Sequence, residues 1–100
     1  MVNERMENFM RAHVFIEGRV QAVSYRYWTL RQAQGLQLTG WVKNLTDGRV
    51  EAVFEGPKTM VSEMIKKCKS GPMLAGVKHI DVSWEKATGE FKGFEIFATS

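Results

Sequence analysis

The amino-acid sequence predicts an α+β domain in which two helices pack on one face of an antiparallel sheet. Two observations lead to this prediction. Strand-like and helix-like patterns follow one another in the order β-α-β-β-α-β, with a short further strand at the end. Each half of that order also places a helix after a strand, so that two similar units can combine into one layered domain.

A first strand and a first helix are predicted in the first third of the chain. Polar and apolar side chains alternate over residues 11–17, which is typical of a half-buried strand, and Gly18 ends the run. After a loop, Ser24 is the expected N-cap of a helix over residues 25–36. One face of that helix carries Tyr25, Trp28, Thr29, Ala33 and Leu36.

The second half begins with a hairpin. Two β-prone runs, residues 39–45 and 49–55, flank Thr46-Asp47-Gly48, and Asp-Gly between such runs is a strong hairpin signal. Gly56-Pro57 then breaks the strand and opens a helix that ends near Lys69. The apolar stripe of this second helix consists of Met60, Val61, Met64, Ile65 and Cys68.

Two further strands follow the stop signal Ser70-Gly71-Pro72. The short fifth strand, residues 94–98, is expected at an edge of the sheet. The core side of the fourth strand, residues 77–85, carries Ile80, Val82 and Trp84. The complete order is that of the ferredoxin-like split βαβ fold, a sandwich of one sheet and two helices.

Length and composition limit the class of protein. A chain of 100 residues, 44% of them hydrophobic, suits one domain, which we expect over residues 11–100 behind a frayed lead-in of residues 1–10. No apolar run is long enough for a membrane span, and the start lacks the apolar core of a secretory signal. The single cysteine, Cys68, excludes an internal disulfide and fits a reducing compartment. We therefore expect a cytoplasmic monomer.

The charge balance favours small anions as partners. Fourteen Lys and Arg residues face eleven Asp and Glu residues, a formal net charge of +3. Nucleic-acid binding favours a broader basic patch than this excess provides. The two histidines, His13 and His79, show no metal-ligand spacing with Cys68. We expect neither a metal nor another cofactor.

The loop between the first strand and the first helix is the stretch most suggestive of chemistry. Its backbone N–H groups can converge at the positive end of the helix dipole, which suits phosphate or another oxyanion. Arg26 lies in the first helical turn, where the dipole disfavours a cation, so a bound anion would explain its position. A solvated surface arginine is the simpler alternative.

Asn44 is the second candidate residue. It lies at the end of the first hairpin strand, two residues before the turn. An asparagine there commonly caps the turn with its own side chain, which is the simpler explanation when the residue is taken alone.

These segments resemble the acylphosphatase family. Residues 18–26 read Gly-Arg-Val-Gln-Ala-Val-Ser-Tyr-Arg, and residues 40–51 read Gly-Trp-Val-Lys-Asn-Leu-Thr-Asp-Gly-Arg-Val-Glu. The family signatures read approximately G-x-V-Q-G-V-x-F-R and G-x-V-x-N-x-x-D-G-x-V-E. Further matches at Glu55-Gly56, Ser70-Gly71-Pro72 and residues 89–96 extend the resemblance over about residues 11–98.

The resemblance implies hydrolysis of the carboxyl-phosphate bond of small acyl phosphates, without a metal, to a carboxylate and inorganic phosphate. Phosphate would be product and competitive inhibitor. Arg26 matches the arginine that binds the phosphoryl group, and Asn44 matches the asparagine that orients the attacking water. The phosphate cradle matches the backbone N–H groups of Val20, Gln21, Ala22, Val23, Ser24 and Tyr25.

Two residues depart from the family pattern. Ala22 stands where the family has glycine, and at a positive φ an alanine is disfavoured by roughly 1 kcal/mol. A shift of the loop to relieve that strain would turn one N–H away from the phosphate, so we expect reduced rather than abolished activity. Tyr25 replaces the usual phenylalanine, and its hydroxyl needs a partner or solvent.

Two rival functions remain open from the sequence. A non-catalytic anion-binding or regulatory domain would keep the loop but not the turnover. An RNA-binding module would use aromatic side chains of the sheet, and residues 92–97 faintly resemble a ribonucleoprotein motif. That motif lies on the last strand, however, whereas RNA-recognition domains carry it on a central one.

Overall fold

A computed structural model describes residues 8–100 of the chain. Its elements are, in chain order, β1 (Phe9–Arg19), α1 (Tyr25–Gly35), β2 (Thr39–Asn44), β3 (Val50–Pro57), α2 (Lys58–Ser70), β4 (Gly76–Lys86) and β5 (Phe94–Ile96). This order confirms the predicted one. Several bounds differ from the predicted ones. β1 runs from Phe9 to Arg19 and is not ended by Gly18, β3 continues through Gly56 to Pro57, where the sequence had indicated a break, and β5 ends at Ile96 rather than at residue 98.

The five strands form one sheet in the order β4-β1-β3-β2-β5. The first four pair antiparallel, as the ferredoxin-like fold requires, with β1 and β3 in the centre. β5 pairs parallel with β2, so the sheet is mixed rather than wholly antiparallel. The connection over residues 87–93 leads from one edge of the sheet to the other, and a crossing connection permits a parallel pair.

The core lies between the sheet and the two helices. The alternation predicted for β1 is observed, since Ala12, Val14 and Ile16 are buried and their neighbours are more exposed. The apolar stripe predicted for α2 is buried at Val61, Met64, Ile65 and Cys68. The helices have 11 and 13 residues, and no helix in the described range is long and apolar enough to cross a membrane.

Trp84 departs from the prediction that it belongs to the core. Its side chain is 41% exposed, and the Nζ of Lys58 lies 5.8 Å from its ring centroid. β4 is an edge strand, so it has a neighbouring strand on one side only. The residue of β1 that pairs with Trp84 is the small Ala12, whose methyl group covers little of an indole ring.

Most of the predicted lead-in, residues 1–10, lies outside the described residues. At its end, Phe9 and Met10 already belong to β1, where they pair with Pro57 and Gly56 of β3. The backbone N–H of Lys58 also donates to the carbonyl of Asn8.

Candidate active site

The loop between β1 and α1 has an unusual backbone conformation. Ala22 and Ser24 have φ values of 60° and 64°, whereas Val23 between them has a negative φ. This alternation turns successive N–H groups toward one side, which makes an anion-binding concavity. The positive φ that would penalise Ala22 is therefore present, and it is kept rather than relieved by a shift of the loop. Strain held by two non-glycine residues is typical of functional sites.

Ser24 occupies the N-cap position of α1, but its side chain makes no capping hydrogen bond. A capping serine normally has an extended backbone, whereas Ser24 is left-handed with φ 64° and ψ 24°. The first turn of α1 also carries no acidic residue. The N–H groups at the start of the helix thus keep their capacity to bind an anion.

A pocket of about 210 Å³ opens beside this loop. It is lined by Val20, Ala22, Ser24, Tyr25, Arg26, Tyr27, Asn44 and Ile96. Arg26 is the single charged residue in that lining, and within residues 8–100 it forms no ion pair. A guanidinium without a carboxylate partner, beside a helix N-terminus, makes the pocket attractive to anions.

The structure brings six of the eight predicted site residues together in this pocket. Gln21 and Val23 do not line it, because the Val23 side chain packs against the core and the Gln21 side chain turns toward the hairpin. Only their backbone N–H groups remain candidates for binding an anion.

Asn44 closes the pocket from the end of β2. Only 9% of the residue is exposed, and its Oδ1 has no hydrogen-bond partner among the described residues. The turn-capping alternative is wrong, because Asp47 takes that role by accepting from the backbone N–H of Arg49 at 3.1 Å. A buried polar atom without a partner calls for an explanation, and a ligand or water in the pocket supplies one.

The Gln21 side chain connects the loop to the β2–β3 hairpin. Its Nε2 donates to the carbonyl oxygens of Leu45 and Arg49 at 2.8 and 2.9 Å. The sequence offered no signal for these contacts, because they join residues 24 and 28 positions apart.

The buried Tyr25 hydroxyl has the partner that the sequence left unidentified. It donates to the carbonyl oxygen of Cys68 at 2.6 Å. The helical partner of that carbonyl would be residue 72, which is a proline without an N–H. Burial, and the contact with Cys68, raise the pKa of Tyr25 well above its ordinary value. Tyr25 therefore joins the start of α1 to the end of α2.

Cys68 and His79, residue types that can form a nucleophile–base pair, make no hydrogen bond with each other among the described residues. The thiol is fully buried, and burial raises its pKa to about 12. His79 is exposed on β4 and lies 3.2 Å from a carboxylate oxygen of Asp81. Within residues 8–100, no three His, Cys, Asp or Glu side chains are grouped so that they could hold a metal ion.

The apolar rim of the pocket was missed by sequence reasoning. Tyr27 and Ile96 are 56% and 39% exposed and stand at its mouth. Tyr27 directly follows Arg26 in the chain. Ile96 pairs with Val42, two residues before Asn44, so the strand register brings it to the site. Trp41 lies three residues before Asn44 in the chain but stacks on Phe97, with the ring centroids 5.4 Å apart, and does not line the pocket.

Comparisons with known proteins point to one family. A family model described as acylphosphatase matches residues 12–96. The chain is 53% identical to the acylphosphatase of Roseiflexus sp. (strain RS-1) over 91 residues, which is 91% of this chain and 98% of that protein. It is also 53% identical to the acylphosphatase of Chloroflexus aurantiacus, over 89% of this chain and 97% of that one.

The fold matches solved structures as well. The structure of an acylphosphatase from Coxiella burnetii superposes with a TM-score of 0.88 and 31% sequence identity. The match covers 96% of this chain and 100% of that one.

Proposed function

The chain belongs to the acylphosphatase family and hydrolyses acyl phosphates, and we propose that it does so in the pocket between the β1–α1 loop and Asn44. The single observation that carries this proposal is the set of unsatisfied polar groups around one cavity. Arg26 has no ion pair in the described chain, and the buried Oδ1 of Asn44 has no hydrogen bond there. In the proposal, the phosphoryl group of the substrate is the partner of Arg26, and the attacking water is the partner of Asn44.

In this proposal the phosphoryl group binds to the backbone N–H groups of residues 20–25 and to the guanidinium of Arg26. The left-handed residues Ala22 and Ser24 aim the N–H groups before substrate arrives, so no reorganisation is needed during reaction. The planar guanidinium can contact two phosphoryl oxygens and stabilise the charge that they carry.

Asn44 orients the attacking water. A carboxamide is neutral near any working pH, so it can hold a water by hydrogen bonds but is a poor base. The water oxygen forms a bond to phosphorus while the bond from phosphorus to the acyl oxygen breaks, and a carboxylate leaves. A carboxylate is a good leaving group, so a strong general acid is unnecessary. The water's proton passes to an oxygen of the substrate itself.

Tyr27 and Ile96 stand where the acyl part of a bound substrate would lie. The rim is apolar, which suits a small acyl group rather than a second phosphate. We further propose that the protein acts without a metal, as a cytoplasmic monomer. The lone and buried thiol of Cys68 supports the reducing compartment.

Hydrolysis of benzoyl phosphate in the presence of a chelator tests this function. The unmodified chain should turn over the substrate, and inorganic phosphate should inhibit competitively. Asn44→Ala should lower kcat by about 10²-fold with little change in the Ki for phosphate, because it removes the water's partner and not the cradle. Lys78→Ala, on β4 and outside the pocket lining, serves as the matched control.

Two outcomes would contradict the proposal. Phosphate binding without any turnover would favour a non-catalytic anion-binding domain. Retention of RNA, with neither turnover nor phosphate binding, would favour the RNA-binding module.

A further inference from the structure

The two walls of the pocket come from strands that are not neighbours. The loop follows β1, Asn44 ends β2, and β3 lies between those two strands in the sheet. No ladder of hydrogen bonds therefore joins β1 directly to β2. The sheet relates the phosphate cradle to Asn44 only through β3, so a direct contact between the loop and the hairpin would help to fix the distance between them.

The Gln21 carboxamide provides such a contact. Its Nε2 donates to Leu45, the residue after Asn44, at 2.8 Å, and to Arg49 at 2.9 Å. These two carbonyls lie at the base of the hairpin, where the N–H of Leu45 also donates to the carbonyl of Arg49 at 2.8 Å. Arg49 precedes Val50, which is the pairing partner of Asn44 in β3. One side chain thus fastens the loop to both strands around Asn44.

We propose that Gln21 is a positioning residue, which fixes Asn44 and its water relative to the phosphate cradle through these two hydrogen bonds. The inference rests on the proposed function, since it assigns Asn44 to the water. The side chain acts separately from the backbone N–H of Gln21, which belongs to the cradle and survives substitution. A misplacement of about 1 Å between reacting groups can lower a rate by about 10²-fold.

Two substitutions at Gln21 separate the hydrogen bonds from the bulk of the side chain. Gln21→Met has a similar length but no N–H donor. Gln21→Glu has nearly the same shape, and its ionised carboxylate faces two carbonyl oxygens without a proton to donate. When protonated, the glutamic acid can again donate one hydrogen bond. The matched controls are Gln34→Met and Gln34→Glu, at an exposed position of α1 outside the pocket lining.

Benzoyl phosphate turnover and phosphate inhibition are measured for each variant. We expect Gln21→Met to lower kcat by about 10- to 100-fold and to change the Ki for phosphate by less than about 3-fold. The kcat of Gln21→Glu, relative to the unmodified chain, should rise as the pH is lowered from about 7 to about 5, because protonation restores a donor. The Gln34 variants should match the unmodified chain at both pH values.

Coupling with Asn44 provides the decisive readout. If Gln21 acts through Asn44, adding Gln21→Met to Asn44→Ala should lower kcat by less than about 3-fold further. Additive losses would overturn the inference, as would an equal loss of kcat and phosphate affinity, which indicates a damaged cradle or fold. Normal turnover in Gln21→Met would overturn this inference alone. An unmodified chain that binds phosphate without turnover would instead overturn the proposed function, and this inference with it.

Discussion

Two arginines show the difference between the two ends of β1. Arg11, near the start of the strand, has its partners in place: its Nε lies 2.8 Å from Oε1 of Glu55, and its Nη2 donates to Thr88 Oγ1 at 2.6 Å. The ring of Phe91 lies 4.5 Å from its guanidinium carbon. Arg26, which follows the other end of the strand, has no carboxylate partner in the described chain.

The buried polar groups at the two ends follow the same contrast. Glu55 is 3% exposed, and its second oxygen accepts from the N–H of Gly89 at 2.7 Å. Asn44 is 9% exposed and its Oδ1 accepts from no described residue. At the Glu55 end, which we call the saturated end, both carboxylate oxygens have partners, and these contacts attach the β4–β5 connection to the sheet. At the Asn44 end, the Oδ1 lacks a partner within residues 8–100 and is free to bind a ligand. A missing partner indicates a site only where the atom also lines a pocket: the buried Oγ1 of Thr29 on α1 has no partner among the described residues either, but Thr29 does not line the pocket, whereas Asn44 does.

The largest expected effects come from removing each arginine. Arg26→Ala should lower kcat/KM by about 10³-fold, because the guanidinium stabilises charge on the substrate. The free energy of unfolding should not change, because Arg26 forms no ion pair among the described residues. Arg11→Ala should lower the free energy of unfolding by about 3 kcal/mol with kcat intact, because it leaves the buried Glu55 carboxylate without its cation. Urea unfolding and benzoyl phosphate kinetics measure both. A loss of stability in Arg26→Ala, or a loss of turnover in Arg11→Ala, would contradict the assignment of binding to one end and of structural support to the other.

Tyr25→Phe should affect stability and not turnover, although Tyr25 lines the pocket. The change leaves the Cys68 carbonyl without a donor, since Pro72 cannot supply one, and should lower the free energy of unfolding by about 1–2 kcal/mol. A fall in kcat beyond about 3-fold would show that the hydroxyl serves the reaction, contrary to the assignment of the cradle to the backbone.

Ala22→Gly should raise the free energy of unfolding by about 1 kcal/mol, because glycine adopts a φ of 60° without a Cβ clash. Turnover of the variant tests the prediction that Ala22 reduces activity, and an unchanged kcat would show that the alanine is harmless to catalysis. Ser24→Gly is the matched variant at the second left-handed position. If neither variant gains stability, the loop is not strained.

The smallest effect concerns pH at the saturated end. The pKa of Glu90 lies below its ordinary value because Thr88 Oγ1, and then Arg11, hydrogen-bond to its carboxylate. A lowered folded-state pKa means stability that is present above the ordinary pKa and is lost as the pH falls through the lowered one. The stability difference between the unmodified chain and Glu90→Gln should be constant above about pH 5 and shrink toward pH 3. A constant difference down to pH 3 would contradict this contact.

Most of the fold could be predicted from local patterns. The alternation in β1, the Asp47-Gly48 turn and the apolar stripe of α2 each depend on side chains close together in the chain. Trp84 could not be predicted in the same way, because its exposure depends on which strand lies at the edge of the sheet and on the small Ala12 beside it.

The sequence predicted the site residues that lie within one short segment, but it did not predict the contacts between segments that are far apart in the chain. Arg26 and the left-handed Ala22 lie within one short loop, so the loop pattern and the family resemblance pointed to both. The hydrogen bonds of Gln21 join residues 24 and 28 positions apart, and the Tyr25–Cys68 bond joins residues 43 apart. No periodicity reports such pairings, because they exist only once the strands and helices have assembled.

The most direct test of the central claim is a titration of the ¹⁵N-labelled chain with inorganic phosphate, followed by amide resonances. The account predicts that the largest shifts occur at the backbone N–H groups of residues 20–26 and at the side-chain amide of Asn44. The groove lined by Arg19, Arg49 and Lys78 lies outside this pocket and offers phosphate an alternative set of cations. Shifts concentrated there, or an unperturbed loop at saturating phosphate, would contradict the account.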